Sequence, residues 1–165
     1  MDPIIINGML TSDQCADIIN QLPDDSHHMP GGTTLAPGHW TDAVWNETHK
    51  TFNTHRIRLE QDSAAHVSSL IKPVSIESET YTVSNKDNFY ANYYLPGESC
   101  GSHKDPSKYS ICVTLNDEFE GGEFSIKNEP VKLKAGDGIL FSGNSTHALS
   151  EIVSGKRWSL CIWIF

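Results

Sequence analysis

Arg157-Trp158-Ser159-Leu160-Cys161-Ile162-Trp163-Ile164-Phe165 closes the chain, and its alternation tells the two sides of the fold apart. In an extended segment successive side chains point to opposite faces. Leu160, Ile162 and Ile164 then form an all-apolar row. Arg157, Ser159, Cys161 and Trp163 form the other, which mixes a cation, a hydroxyl, a thiol and an indole. The apolar row belongs against helices, so the mixed row faces the interior of a barrel. A buried guanidinium is costly unless an anion pairs with it. On the adjoining segments only Asp105 and Glu123 are acidic, which makes a bound dicarboxylate an attractive partner for Arg157.

Working outward from that strand, the second half of the chain is a series of short strands. They are expected over 81–83, 89–95, 109–115, 122–126, 131–133, 138–141, 146–153 and 158–165. Gly121-Gly122 and Ala135-Gly136-Asp137-Gly138 mark sharp corners, where glycine supplies a positive φ without steric cost. Many short strands at this spacing predict a sandwich or barrel. The first half differs. Ile4-Ile5-Ile6 reads as an opening strand, and Thr11 with Gln14 forms a capping box for a helix carrying Cys15, Ile18, Ile19 and Leu22 and ended by Pro23. A strand over 52–59, punctuated by two basic residues, precedes a second helix over 63–71, which Pro73 stops. The expected fold is therefore mainly β (α+β), a double-sheet jelly roll with the N-terminal helices packed on one sheet. One domain is expected over 1–165, with 1–88 as support and 89–165 as the barrel core. The loop over 23–51 is expected to act as a lid and specificity element. It contains His27-His28, read as a solvated pair, and Trp40 and Trp45, read as packing residues.

Composition removes several classes of function. A net charge of −9 leaves the chain without a general means of neutralising phosphates, so nucleic acid is a poor partner. The start, Met1-Asp2-Pro3-Ile4-Ile5-Ile6, lacks a basic segment and a long apolar core, so no signal peptide is expected. No apolar run reaches the roughly 18 residues of a membrane span, and a cytoplasmic location follows as the expectation. The cysteines Cys15, Cys100, Cys112 and Cys161 show no C-x-x-C spacing and are expected as reduced thiols.

The candidate chemistry lies in His103-Lys104-Asp105 and in His147, 44 residues later. If the first segment is extended, its imidazole and carboxylate share a face. Two His and one carboxylate on one side of an iron(II) ion leave the opposite coordination positions open. Arg157 follows His147 by ten residues, at a remove suited to hold an acidic co-substrate.

Tyr94-Leu95-Pro96-Gly97, His103-Lys104-Asp105, Leu115-Asn116-Asp117, Gly121-Gly122-Glu123-Phe124, Ala135-Gly136-Asp137, His147 and Arg157-Trp158-Ser159 occur in this order. That order resembles the iron(II)/2-oxoglutarate-dependent dioxygenases, and within them the prolyl 4-hydroxylase branch. The resemblance covers about residues 89–165 in detail, with 7–15 similar to that branch's opening strand and helix. It implies a double-stranded β-helix in which His103, Asp105 and His147 hold Fe(II). It implies that Arg157 and Ser159 take the far carboxylate of 2-oxoglutarate, that Tyr94 hydrogen-bonds in the same pocket, and that Trp163 lies beside the reaction centre on the substrate side. It further implies O2 as co-substrate, ascorbate as an accessory reductant, succinate and CO2 as products, and hydroxylation of an unactivated C–H bond. The expected substrate is a prolyl residue in a peptide or protein. A free amino acid or small metabolite is the alternative, and a non-catalytic metal-binding barrel is the third reading. Asp105 disfavours halogenation, because halogenating relatives lack this carboxylate. The sequence departs from the branch over 106–112, which contains no arginine, and Lys108 is a poor substitute for a planar bidentate group.

Overall fold

The computed structural model describes residues 1–23, 28–29, 40–43 and 54–165. In chain order the elements are β1 (Ile4–Ile6), α1 (Ser12–Gln21), β2 (His28–Met29), β3 (Trp40–Ala43), β4 (Thr54–Arg58) and α2 (Gln61–Leu70). They continue with β5 (Val74–Ile76), β6 (Glu79–Tyr81), β7 (Asn88–Tyr94), β8 (Cys100–His103), β9 (Tyr109–Thr114) and β10 (Phe119–Gly121). The last are β11 (Phe124–Ile126), β12 (Glu129–Val131), β13 (Gly138–Ser142), β14 (His147–Leu149), β15 (Ile152–Gly155) and β16 (Arg157–Ile164).

Two sheets make the double-stranded β-helix. The major sheet has the order β1-β13-β9-β16-β7-β4-β3-β2, and the minor one β12-β11-β14-β8. The C-terminal strand is central because two partners complete its ladders: β7, through Arg157↔Tyr94 and Ser159↔Asn92, and β9, through Ser159↔Thr114 and Cys161↔Cys112. The parity expected of it holds. Leu160, Ile162 and Ile164 are buried with Cys15 and Ile18 of α1 and Ala64 and Val67 of α2. The neighbouring strands send Phe89, Ile111, Val113 and Leu140 to the same side. The opposite rows contribute Tyr94, Cys112, Ile139 and Phe141 to a second cluster with Phe124, Ile126 and Leu149 of the minor sheet. Ile162 is fully buried between helices and sheet, so Ile162→Ala should cost about 2–5 kcal/mol, measured by denaturant unfolding.

Helix α1 starts as its caps dictate. The Gln14 N–H donates to Thr11 Oγ1 (3.1 Å), and the Thr11 N–H donates to Gln14 Oε1 (2.8 Å). Helix α2 begins before the expected Ser63, at Gln61, with Glu60 as an N-cap that makes no side-chain cap bond; no capping motif marks it. Between β5 and β6 the turn residues Glu77 and Ser78 both have positive φ (50° and 71°), the geometry of a two-residue hairpin loop usually built from Asn and Gly. The stretch expected as one strand over 146–153 divides into β14 and β15. There Ser150 donates its N–H to the Glu123 carbonyl, while Glu151 accepts from the Gly122 N–H, so the chain passes from one partner strand to another.

The backbone of the expected 23–51 loop contributes β2 and β3, parallel to each other, to the major sheet. The lid expected there, and the side chains of His27, His28, Trp40 and Trp45, lie outside the described residues. Among the described residues no helix is long and apolar enough to cross a membrane, and all four cysteines are free thiols.

Candidate metal centre

Two strand pairs and one loop bring His103, Asp105 and His147 together. His147 opens β14 directly opposite His103, the last residue of β8. The His103 Nδ1 lies 2.8 Å from the Gly101 carbonyl, and the His147 Nδ1 3.0 Å from the Ser145 carbonyl. A carbonyl only accepts, so each Nδ1 carries the proton and each Nε2 presents a lone pair. Those Nε2 atoms lie 3.7 Å and 3.6 Å from the Asp105 Oδ1 and Oδ2 respectively. These distances are too long for hydrogen bonds. They suit ligands that share an ion, since bonds of about 2.0–2.2 Å place neighbouring donor atoms roughly 3–4 Å apart. The three ligand atoms all lie within 4.8 Å of one another. Burial, reinforced by His147, lowers the His103 pKa to about 4, which keeps the ring neutral and its lone pair available near pH 7.

Asp105 lies just past the end of β8 and is held at both its backbone and its side chain. Its N–H donates to the Gly143 carbonyl (3.0 Å), and the Gly143 N–H donates to the Lys108 carbonyl (3.0 Å). Gly143 is required there because a Cβ would run into the Ser107 carbonyl. The Ser110 Oγ donates to the Asp105 Oδ2 (2.5 Å) and lies 2.9 Å from the Ser107 Oγ. Ser110 has no exposed surface. The sequence reading missed this support, although Ser110 is on the inward row of β9, the parity that could have revealed it. Ser110→Ala should weaken metal binding about 10-fold, the usual scale for a group that orients a ligand, as measured by competition with a metallochromic chelator.

Arg157, Ser159, Tyr94 and Trp163 line the same cavity as the triad, together with Cys112 and Cys161. Arg157 is 5% exposed. Its Nη2 donates to the Thr114 Oγ1 (3.3 Å), and its Cζ lies 5.9 Å from the Tyr94 ring centre and 5.7 Å from that of Phe119. Its Nε is buried without a hydrogen-bond partner. Among the described residues no carboxylate pairs with it, and Glu123, one of the two acidic candidates, is exposed. Burial lowers the Arg157 pKa from its usual value, yet a guanidinium stays charged near neutrality. The Tyr94 hydroxyl is pushed far above its ordinary range, again by burial, and is a neutral hydrogen-bonding group. A buried cation with an unsatisfied N–H is the complement of an anion, and a carboxylate fits a guanidinium's fork.

A second cation enters from the strand expected over 52–59, whose basic residues the sequence reading gave no role. Arg56, on β4, lines the cavity. Its Nε donates to the Asn92 Oδ1 (2.7 Å), and its Cζ lies 5.3 Å from the Tyr90 ring centre and 5.5 Å from that of Trp163. Thus a planar cation reaches the site from β4 rather than from 106–112. Lys108 lies over the Tyr109 ring instead. The signal was present as one of the two basic residues that interrupt 52–59, but only the β4–β7 register, Arg56↔Asn92, assigns its face.

Comparisons with known proteins place this geometry. Residues 86–165 match the family model described as the 2OG-Fe(II) oxygenase superfamily. The PKHD-type hydroxylase of Gluconobacter oxydans is 34% identical over 73 residues, which are 42% of this chain and 32% of that protein. The chain thus spans about a third of that relative's length. Among solved structures, a Trichoplax adhaerens prolyl hydroxylase bound to a hypoxia inducible factor peptide fragment superposes with a TM-score of 0.67 at 17% identity, covering 99% of this chain and 83% of that one. A Pseudomonas putida prolyl-4-hydroxylase gives 0.64 at 15% identity, covering 98% and 90%. These two likenesses concern the fold. The matched segment, residues 86–165, contains His103, Asp105, His147 and Arg157, so the candidate site lies within the stretch that is similar to the 2OG-Fe(II) oxygenase superfamily.

Proposed function

We propose that the chain is an Fe(II)/2-oxoglutarate-dependent hydroxylase, with a prolyl residue of a peptide or protein as its substrate. The observation that carries this reading is a convergence. Two imidazole lone pairs and a carboxylate meet in one buried cavity, whose wall also holds a guanidinium with an unpartnered Nε. A purely structural metal has no use for such an anion anchor. His103, Asp105 and His147 would hold the iron, and their nitrogen and oxygen donor set suits it. When bound with 2-oxoglutarate and O2, the iron supplies the oxidising chemistry that hydroxylates a C–H bond and yields succinate and CO2.

The chain's own residues do the rest. Arg157 takes the far carboxylate of 2-oxoglutarate, with Ser159 beside it and Thr114 orienting the guanidinium. Tyr94 stays protonated and supplies a neutral donor to the same pocket. The apolar wall of Phe124, Ala148 and Leu149 excludes water, which strengthens the charge pairing. Trp163 and Arg56 face the substrate side.

Arg56 favours a second reading, in which the substrate is a free amino acid or other small acid whose carboxylate meets that guanidinium. Mass spectrometry on proline-containing peptides and on free amino acids, with succinate measured in parallel, separates the two. A product gaining one oxygen atom in the peptide arm supports the prolyl reading. The same gain in the amino-acid arm supports the second, and Arg56→Met should then raise KM about 10–100-fold with a smaller change in kcat, as expected when binding common to ground and transition states is lost. If neither arm yields product or succinate above the metal-free protein, a non-catalytic metal-binding barrel is the remaining reading.

A further inference from the structure

Cys112 and Cys161 face each other inside the barrel, and the proposed hydroxylase chemistry uses neither. They are directly opposite residues on the antiparallel strands β9 and β16, and their register decides how close they stand. Leu115 donates its N–H to the Trp158 carbonyl, whereas the Thr114 N–H turns the other way, to Asp137. Leu115–Trp158 is therefore a hydrogen-bonded pair and Thr114–Ser159 is not. Because the two kinds alternate along an antiparallel ladder, Cys112–Cys161 is a non-hydrogen-bonded pair. Such pairs hold their Cα atoms about 4.5 Å apart with side chains closer, inside the roughly 4.4–6.8 Å window of disulfides. The two sulfurs already lie 3.6 Å apart. Side-chain rotation, without movement of either strand, would bring them into bonding distance.

The two thiols are also chemically unequal. Cys161 is the more exposed of the two. Its hydrogen bond with Cys112 holds its thiol below the usual range, with Arg56 and Arg157 adding to the effect. The same bond and burial raise that of Cys112. Its greater exposure makes Cys161 the thiol that meets an oxidant in the cavity first, with Cys112 as the resolving one.

We propose that Cys112 and Cys161 form an oxidative modification site, in which a peroxide entering the cavity converts the pair to a disulfide. The Cys161 thiolate attacks one peroxide oxygen, the O–O bond breaks, and the leaving hydroxide takes a proton. The Cys112 sulfur then attacks the resulting sulfenic acid, the S–O bond breaks, and the departing hydroxyl leaves as water with the Cys112 proton. The two sulfurs supply two electrons, and hydrogen peroxide becomes two waters.

The product would be felt at the cavity mouth. Asn92 Nδ2 donates to the Cys161 Sγ (3.4 Å), and Asn92 Oδ1 accepts from the Arg56 Nε. Turning Cys161 toward Cys112 withdraws the sulfur from Asn92, and with it the support of the guanidinium stacked on Trp163.

The test treats the full chain, metal-free and reduced, with stoichiometric hydrogen peroxide, followed by alkylation and non-reducing peptide mapping. A loss of about 2 Da with a Cys112–Cys161-linked peptide is expected, accompanied by a change in tryptophan emission that dithiothreitol reverses and Trp163→Phe abolishes. Cys112→Ser should leave Cys161 as a sulfenic acid trapped by dimedone. Recovery of both cysteines as alkylated thiols overturns the proposal, as does a link from Cys161 to Cys100 or sulfinic acid on Cys161 beside an intact Cys112. The wild-type map decides the question even if a variant fails to fold, and it stands apart from any assay of hydroxylation.

Discussion

Arg157→Ala is expected to lower 2-oxoglutarate affinity by more than about 100-fold while leaving metal binding within a few-fold of wild type. Arg157 is 5% exposed and its Nε has no partner among the described residues, so an arriving anion is what matches its charge. Truncating one member of a desolvated, hydrogen-bonded charge pair typically costs about 2–5 kcal/mol, or roughly 30- to several-thousand-fold in affinity. Metal binding should survive because the three candidate ligands sit on other segments, β8 with its following loop and β14. Calorimetric titration of the Mn(II)-loaded protein with 2-oxoglutarate measures the loss without turnover. Arg157→Lys should recover only part of it, since an ammonium keeps the charge but not the planar fork. Unchanged affinity in Arg157→Ala would show that the co-substrate anchor is elsewhere.

The second large effect is expected at Asp105. Asp105→Ala should abolish both tight metal binding and succinate formation. Its carboxylate faces both imidazoles, with one oxygen 3.7 Å from the His103 Nε2 and the other 3.6 Å from the His147 Nε2. It is also the only acidic side chain among the described residues lining the cavity. Removing it leaves two neutral nitrogens and no anionic ligand for a divalent cation. Metal content by mass spectrometry and succinate by coupled assay report the two losses separately, and full turnover in this variant would contradict the triad. The fold should persist, because the Asp105 backbone, which donates its N–H to the Gly143 carbonyl, is untouched.

How much of this was legible before the structure depended on how far each signal reaches along the chain. The two faces of β16 could be read from alternation alone, because a strand buried on both sides by unlike partners must separate them. The start of α1 could be read because Thr11 and Gln14 satisfy each other locally. Nothing local betrays the β5–β6 hairpin, whose Glu77 and Ser78 adopt left-handed φ values that side chains of their kind seldom take. Nor could 52–59 show that Arg56 rather than Arg58 faces the cavity, since both are basic and two apart, on the same parity. Their difference comes from where β4 lies along β7, which sets Arg56 opposite Asn92 and Arg58 opposite Tyr90. Ser110 and Gly143 were missed because each matters through the short loop between β8 and β9, Ser110 through Asp105 and Ser107 and Gly143 through Asp105 and Lys108. The strand over 146–153 was read as continuous because hydrophobicity persists across Ser150-Glu151, while the change of partner there is a property of the sheets.

Anaerobic titration with Fe(II) followed by 2-oxoglutarate most directly tests whether the three ligands and the guanidinium form one functional centre. A visible charge-transfer band should appear in the wild-type protein only when both are present, saturating at one equivalent of each. Asp105→Ala should lack the band, and Arg157→Ala should show it only at much higher 2-oxoglutarate concentration. A wild-type protein that binds iron yet develops no band at saturating 2-oxoglutarate would contradict the account.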